Sequence, residues 1–268
     1  MRCALLAAFI AVLALSVSAH AAGADPLLLS GFQSMYGLDF TSSERHFSDY
    51  VRQRPDDPLG YAAQAACVLF TELDRLQALD AEFYLDDKKL IAEGTGTPNP
   101  QTKRRLFQLT ARAKTLADGS ANGLFALALS NGLEADYTFL VEKGRLGAAK
   151  PGREGFEYAK RLLKADPQFY DAYIWTGVTN YVVASLPFPL RWLAKLRGLP
   201  SSKETAIRDL RTAADKGSLL KPYAKILLTV TYLREKRKRD AQALLAELSI
   251  EFPTNPLFAK HARRLATP

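Results

Sequence analysis

Apolar residues recur at three- and four-residue spacing in segments that each run into a proline. Phe47, Tyr50 and Val51 lead to Pro55; Ala159, Leu162 and Leu163 lead to Pro167; Ala241, Leu244, Leu245 and Leu248 lead to Pro253. That spacing gathers the apolar side chains on one face of a helix. The proline then forbids continuation, because it lacks an N–H and clashes with the preceding turn. A similar phrase starts the next helix each time, at Pro55 to Tyr61, Pro167 to Tyr173 and Pro253 to Ala259. The pattern predicts an all-α chain built from helix, stop and helix.

Aligning on the prolines tests for an internal repeat. In the first unit Gly31 and Ser43 take small positions, Phe47 a large one and Pro55 the end. A later unit has Tyr173 and Gly177 in its first helix. Its second helix is read from Lys203 to Lys216, with Ala206, Leu210 and Ala213 spaced small, large, small. The last unit reads Tyr232, Ala241, Leu245 and Pro253. This register resembles the tetratricopeptide repeat, a helix–turn–helix of about 34 residues. The stretch from Asp166 to Phe258 also resembles a family of exported bacterial repeat proteins, distantly similar to the tetratricopeptide repeat 39 group. The residues that carry it are Asp171 to Tyr173, Thr176, Gly177, Tyr181, Leu186-Pro187, Ala213 to Gly217 and Glu251 to Phe258. The resemblance implies an irregular tetratricopeptide-like helical solenoid and does not itself imply an enzymatic activity.

The spacing is not a clean array. Pro55 to Pro167 is 112 residues and Pro167 to Pro253 is 86, neither a multiple of the repeat, so insertions must interrupt the units. Two are visible: the Gly-, Pro- and Asn-rich residues 92 to 102, read as an irregular loop, and residues 186 to 202, where prolines bracket a short apolar and basic helix. A final helix is read from about Pro256 to Leu265.

The N-terminus changes where this fold is placed. Arg2, an apolar run from Ala4 to Val17 and the small-residue pattern Ala19-His20-Ala21 read as a secretory signal peptide over residues 1–21, leaving a repeat domain over 22–268. The expected location is the periplasm or outside the cell. Removing that segment leaves Cys67 as the one cysteine, so no internal disulfide can support the fold, and its apolar surroundings read as core. Charge is uneven: residues 188 to 268 hold 17 Lys and Arg against 7 Asp and Glu, whereas residues 25 to 187 hold 18 against 21. The densest run, Arg234 to Arg239, reads as a solvated connection between helices. An exported chain without a nucleic-acid-binding motif gives no reason to expect nucleic acid.

Candidate chemistry is sparse. His46 and His261 lie far apart without metal-ligand spacing and read as surface residues, and neither a nucleophile elbow nor a phosphate-binding loop occurs. Glu134 and Asp136 are two apart and should point to different sides of a helix. No catalytic residue, metal or cofactor is expected. Tetratricopeptide arrays bind through the concave face lined by the first helix of each unit, and those positions here are apolar. The candidate partner or ligand residues are Phe32, Tyr36, Phe70, Tyr173, Ile174, Val178 and Tyr181, with Asp171 also in register and Trp192 in the second insertion. Two functions follow: a protein–protein scaffold, or a carrier of lipid or another hydrophobic ligand in that face. In the 190–199 segment Leu190, Trp192, Leu193, Leu196 and Leu199 alternate with Arg191, Lys195 and Arg197, an amphipathic pattern. It is read as a lid whose apolar side covers the concave face and buries Trp192; the alternative is peripheral contact with an anionic membrane.

Overall fold

The computed structural model describes residues 25–79 and 96–266. The signal segment read at 1–21 and residues 92–95 of the first insertion lie outside the described residues. Within them the protein is an all-α, irregular helical solenoid. Its helices are α1 (Pro26–Tyr36), α2 (Phe40–Gln53), α3 (Pro58–Arg75), α4 (Pro100–Leu116), α5 (Ala121–Asp136) and α6 (Arg145–Ala165). They continue with α7 (Tyr173–Ser185), α8 (Phe188–Leu196), α9 (Lys203–Lys216), α10 (Lys221–Arg234), α11 (Lys238–Glu251) and α12 (Pro256–Ala266). A single π turn, Tyr137–Val141, follows α5, and a short 3₁₀ turn, Tyr170–Ala172, precedes α7.

Four helices begin in the same way. At Asp25-Pro26, Asp57-Pro58, Asn99-Pro100 and Asn255-Pro256 the side-chain oxygen accepts the amide two residues on, at 2.9, 2.9, 2.9 and 3.0 Å. Proline takes the first helical position, where its missing N–H would have had no intrahelical partner. This cap corrects one expectation. Residues 96–99 are irregular as read, but Asn99 starts α4 at Pro100, so the loop read to residue 102 ends earlier.

Helix ends repeat as well. Leu38, Gln77, Lys143 and Lys236 have φ of 64°, 54°, 58° and 61°, and each stands two residues beyond the end of α1, α3, the π turn and α10. After α1, α3 and α10 the next amide closes back on the helix, Asp39 to the Ser34 carbonyl, Ala78 to Leu73 and Arg237 to Tyr232, at 2.9, 2.7 and 2.8 Å. That bond satisfies a terminal carbonyl and turns the chain for the antiparallel return.

The helices pair as α1 with α2, α3 with α4, α5 with α6, α7 with α9 and α10 with α11, and each pair packs on the next in sequence order. Small residues set the spacing within and between pairs. A Cβ added to Gly31 would lie 2.2 Å from Phe47 Cε1, and one on Gly177 would lie 2.7 Å from Leu210 Cγ and 3.2 Å from the Ala206 carbonyl. Gly60 likewise seats Tyr50 and Val51 across the junction of the first two pairs. One contact of the repeated phrase recurs, Tyr61 Oη donating to the Pro55 carbonyl at 3.0 Å and Tyr173 Oη to the Pro167 carbonyl at 3.3 Å, although the second phrase passes through the 3₁₀ turn before α7 starts at Tyr173. Residues 186–202 insert α8 between the two helices of the fourth pair. The connection from α10 to α11 is only residues 235–237, shorter than the run read at 234–239: Arg234 ends α10, Lys238 and Arg239 start α11, and residues 236–239 are exposed.

The array also closes on itself. Asn255 Nδ2 donates to the Tyr36 carbonyl at 2.9 Å, Thr254 Oγ1 to the Gly37 carbonyl at 3.0 Å and Gln33 Nε2 to the Glu251 carbonyl at 3.5 Å. The Tyr36 ring meets Phe252 edge-on at 5.8 Å and Phe70 at 6.0 Å, and Phe70 meets Tyr223 at 5.9 Å. The end of α1 therefore sits against the connection between α11 and α12.

Two outcomes follow from this packing. Gly177→Leu should overpack the α7–α9 contact and cost roughly 1–3 kcal/mol, read as a lowered urea midpoint; unchanged stability would mean that α9 does not approach this closely. Asn255→Ala removes the cap of α12 and leaves a buried carbonyl of α1 without its partner, and together these should cost at least about 1–3 kcal/mol by the same measurement.

Candidate functional site

Closure brings the first helix of several units together around a small inner cavity. It is lined by Met35 and Tyr36 of α1, Leu69 and Phe70 of α3, Asp136 of α5, Tyr223 and Ile226 of α10, and Asn255 and Phe258 at the C-terminal end. The described residues enclose about 60 Å³ there. That is space for a few waters and far below the roughly 300 Å³ at which drug-sized ligand sites begin.

One carboxyl faces this apolar space. Tyr223 Oη donates to Asp136 Oδ2 at 3.1 Å across 87 residues of sequence. Burial pushes the Asp136 carboxyl up from 3.8 to about 6, and the tyrosine bond offsets only part of that rise. Burial also holds the Tyr36 hydroxyl well above the ordinary tyrosine range, reinforced by the negative charges of Asp171 and Glu251. Among the described residues that hydroxyl has no hydrogen-bond partner. Glu134, two residues before Asp136, turns to the other side as expected and accepts from Thr110 Oγ1 at 2.6 Å and Lys114 Nζ at 2.7 Å.

The candidate residues do not form one surface. Phe32, Tyr36 and Ile174 are core, with Tyr36 only 2% exposed, so the expectation of a partner-facing surface at these positions is corrected. For Tyr36 the reason is closure, which sets its ring against Phe252, whereas Phe32 packs on Phe47 within the first helix pair. Phe70, Tyr173, Val178 and Tyr181 are half-buried. Tyr181 Oη donates to Glu235 Oε1 at 3.0 Å, and the same oxygen takes Lys203 Nζ at 2.6 Å. Burial and then that carboxylate push the Tyr181 hydroxyl up to about 12. Asp171, read as a concave position, instead accepts the amides of Ser218 and Leu220 at 3.0 and 2.8 Å and fixes the turn between α9 and α10. Its carboxyl is raised by burial despite those amides.

Trp192 overturns the lid. It is 56% exposed, and α8 buries none of its side chains. The amphipathic pattern is real, but the apolar side turns outward instead of onto the inner face. Two smaller readings also change or hold. His261 is 6% exposed, not a surface residue, because α12 packs that side on α11. Cys67 is buried as expected, and burial pushes its thiol up. No group of three or more His, Cys, Asp or Glu among the described residues could hold a metal ion.

No protein-family model matches the chain, and no curated protein matches it.

The Asp136–Tyr223 pair was not foreseen, because its members lie on helices far apart in sequence. The one signal was an acidic residue ending the apolar α5. The pair gives a pH signature. The unfolded carboxyl ionises near 3.8 and the folded one near 6, so stability falls as pH rises through that interval. The loss is up to about 3 kcal/mol at neutral pH, from 1.36 kcal/mol per pKa unit. Asp136→Asn should therefore stabilise the protein by up to that amount near pH 7 and hardly at all near pH 4, measured by denaturant unfolding.

Proposed function

We propose that the chain is a non-catalytic, exported scaffold of the tetratricopeptide type that binds a protein partner on its outer surface and uses no cofactor. The observation that carries this reading is the closure of the array. Its inner face is occupied by Tyr36, Phe70, Tyr223 and Phe252, which favours contacts through the outer surface over a ligand held within. The tetratricopeptide assignment is supported by the helix pairs, by the small-to-large contacts at Gly31 and Gly177, and by the recurring left-handed helix ends. The non-catalytic assignment is supported by the use of the two raised carboxyls. Asp136 and Asp171 each serve a structural hydrogen bond. Export rests on the N-terminal segment, and no helix among the described residues is long and apolar enough to cross a membrane.

The rival reading, a carrier of lipid or another hydrophobic ligand, is disfavoured by the small inner cavity. Native mass spectrometry of protein purified gently from its own cells separates the two. The scaffold reading expects the unliganded mass of the chain together with one protein partner at fixed stoichiometry. A reproducible lipid adduct removed by organic extraction would favour the carrier, and a bare monomer under all gentle conditions would sink the scaffold.

A further inference from the structure

The second insertion presents an unpartnered apolar helix face. On the helical period Phe188, Trp192 and Leu196 follow one another along one side of α8, with Pro189 and Leu193 beside them. These are outward: Phe188 is 71% exposed and Leu196 63%. Arg191 and Ala194, on the other side, are the half-buried residues of α8, and Arg191 Nη1 donates to the Ala184 carbonyl of α7 at 3.2 Å. Arg191 and Ala194 thus face the body while the aromatic and leucine side faces solvent, the reverse of an ordinary surface helix, which buries its apolar side. Pro187 opens the helix, Gly198 at φ 78° closes it, and Ser202 N donates to Asn180 Oδ1 at 3.1 Å just beyond.

Charge selects what this face meets. Residues 172 to 203 contain no Asp or Glu and four basic residues, Arg191, Lys195, Arg197 and Lys203. Lys203 is paired with Glu235, whereas Lys195 and Arg197 are exposed beside the apolar side. A second copy of the chain meeting this face would set Lys195 and Arg197 against their own kind, with no carboxylate in the segment to relieve them. An anionic bilayer satisfies both features: its acyl boundary takes Phe188, Trp192 and Leu196, and its phosphates take the flanking cations. Tryptophan also favours the headgroup level over either pure phase.

We propose that α8 docks the protein peripherally on an anionic lipid surface, with Phe188, Trp192 and Leu196 inserted and Lys195 and Arg197 at the headgroups. This goes beyond the scaffold reading and does not require a protein partner, so the test uses purified protein and vesicles alone. The protein should float with vesicles of phosphatidylcholine mixed with phosphatidylglycerol and not with phosphatidylcholine alone, and added salt should weaken the association. In a Trp175→Phe background the emission of Trp192 should shift blue only with the anionic vesicles. Because Trp175 is core, the same shift is also read in the wild type and should vanish in Trp192→Phe. Lys195→Gln with Arg197→Gln should weaken binding about thirtyfold, and Phe188→Ser with Leu196→Ser should abolish it, all at exposed positions. No flotation with anionic vesicles, or equal binding to neutral ones, overturns the proposal. So does a concentration-dependent dimer in light scattering that Phe188→Ser dissolves, which would assign the face to a second copy.

Discussion

The contact between the end of α1 and the connection from α11 to α12 is the constraint on which the rest of this structure depends. An open solenoid leaves its first and last repeats with apolar faces that neighbours cannot cover, and usually needs polar terminal caps. Here Asn255 takes the Tyr36 carbonyl and Phe252 takes the Tyr36 ring, so the two ends cover each other. Non-local contacts of this kind are costly in chain entropy, because more than two hundred residues separate the partners. They are offset by the apolar area that Tyr36, Phe70, Tyr223 and Phe252 jointly remove from water.

Closure fixes what the inner face can be. Aromatic rings that would line a groove in an open array become core, and the residual space is small and mostly apolar apart from the Asp136–Tyr223 pair. A carboxyl in that setting costs stability when ionised, which makes it a persistent polar mark in an otherwise apolar centre. The polar groups that matter elsewhere serve turns. Asp171 organises the start of α10 from 49 residues away, and Glu235 joins α7 and α9 to the turn after α10 through Tyr181 and Lys203. With the interior used in this way, the outer surface and the protruding α8 are what the protein offers to other molecules.

Much of the architecture was legible in the pattern of residues. Asp57-Pro58 and Asn255-Pro256 in the repeated phrase mark helix starts, because a short side-chain acceptor and a pre-set proline both suit the first turn. Asp166-Pro167 instead precedes a 3₁₀ turn, and the start at Asn99-Pro100 lies hidden in a segment that reads as loop. The span of α9, Lys203–Lys216, follows directly from the small-large-small spacing of Ala206, Leu210 and Ala213, and Gly177 meets Leu210 as its register implies. The recurring left-handed ends were not legible, because Leu38, Gln77, Lys143 and Lys236 are not the glycines that usually announce that conformation.

The site was less legible, for a definite reason. Periodicity tells which side of a helix is apolar, not what that side meets. For Phe32, Tyr36 and Ile174 the answer was the protein's own core; for Phe188, Trp192 and Leu196 it was solvent. The amino-acid sequence by itself determined the helices, their stops and the pairing of neighbours, since these depend on interactions over a few residues or between adjacent segments. Only the tertiary structure decided that the ends meet, that Asp136 reaches Tyr223 and that α8 turns its apolar side outward, because each depends on where helices distant in sequence come to rest.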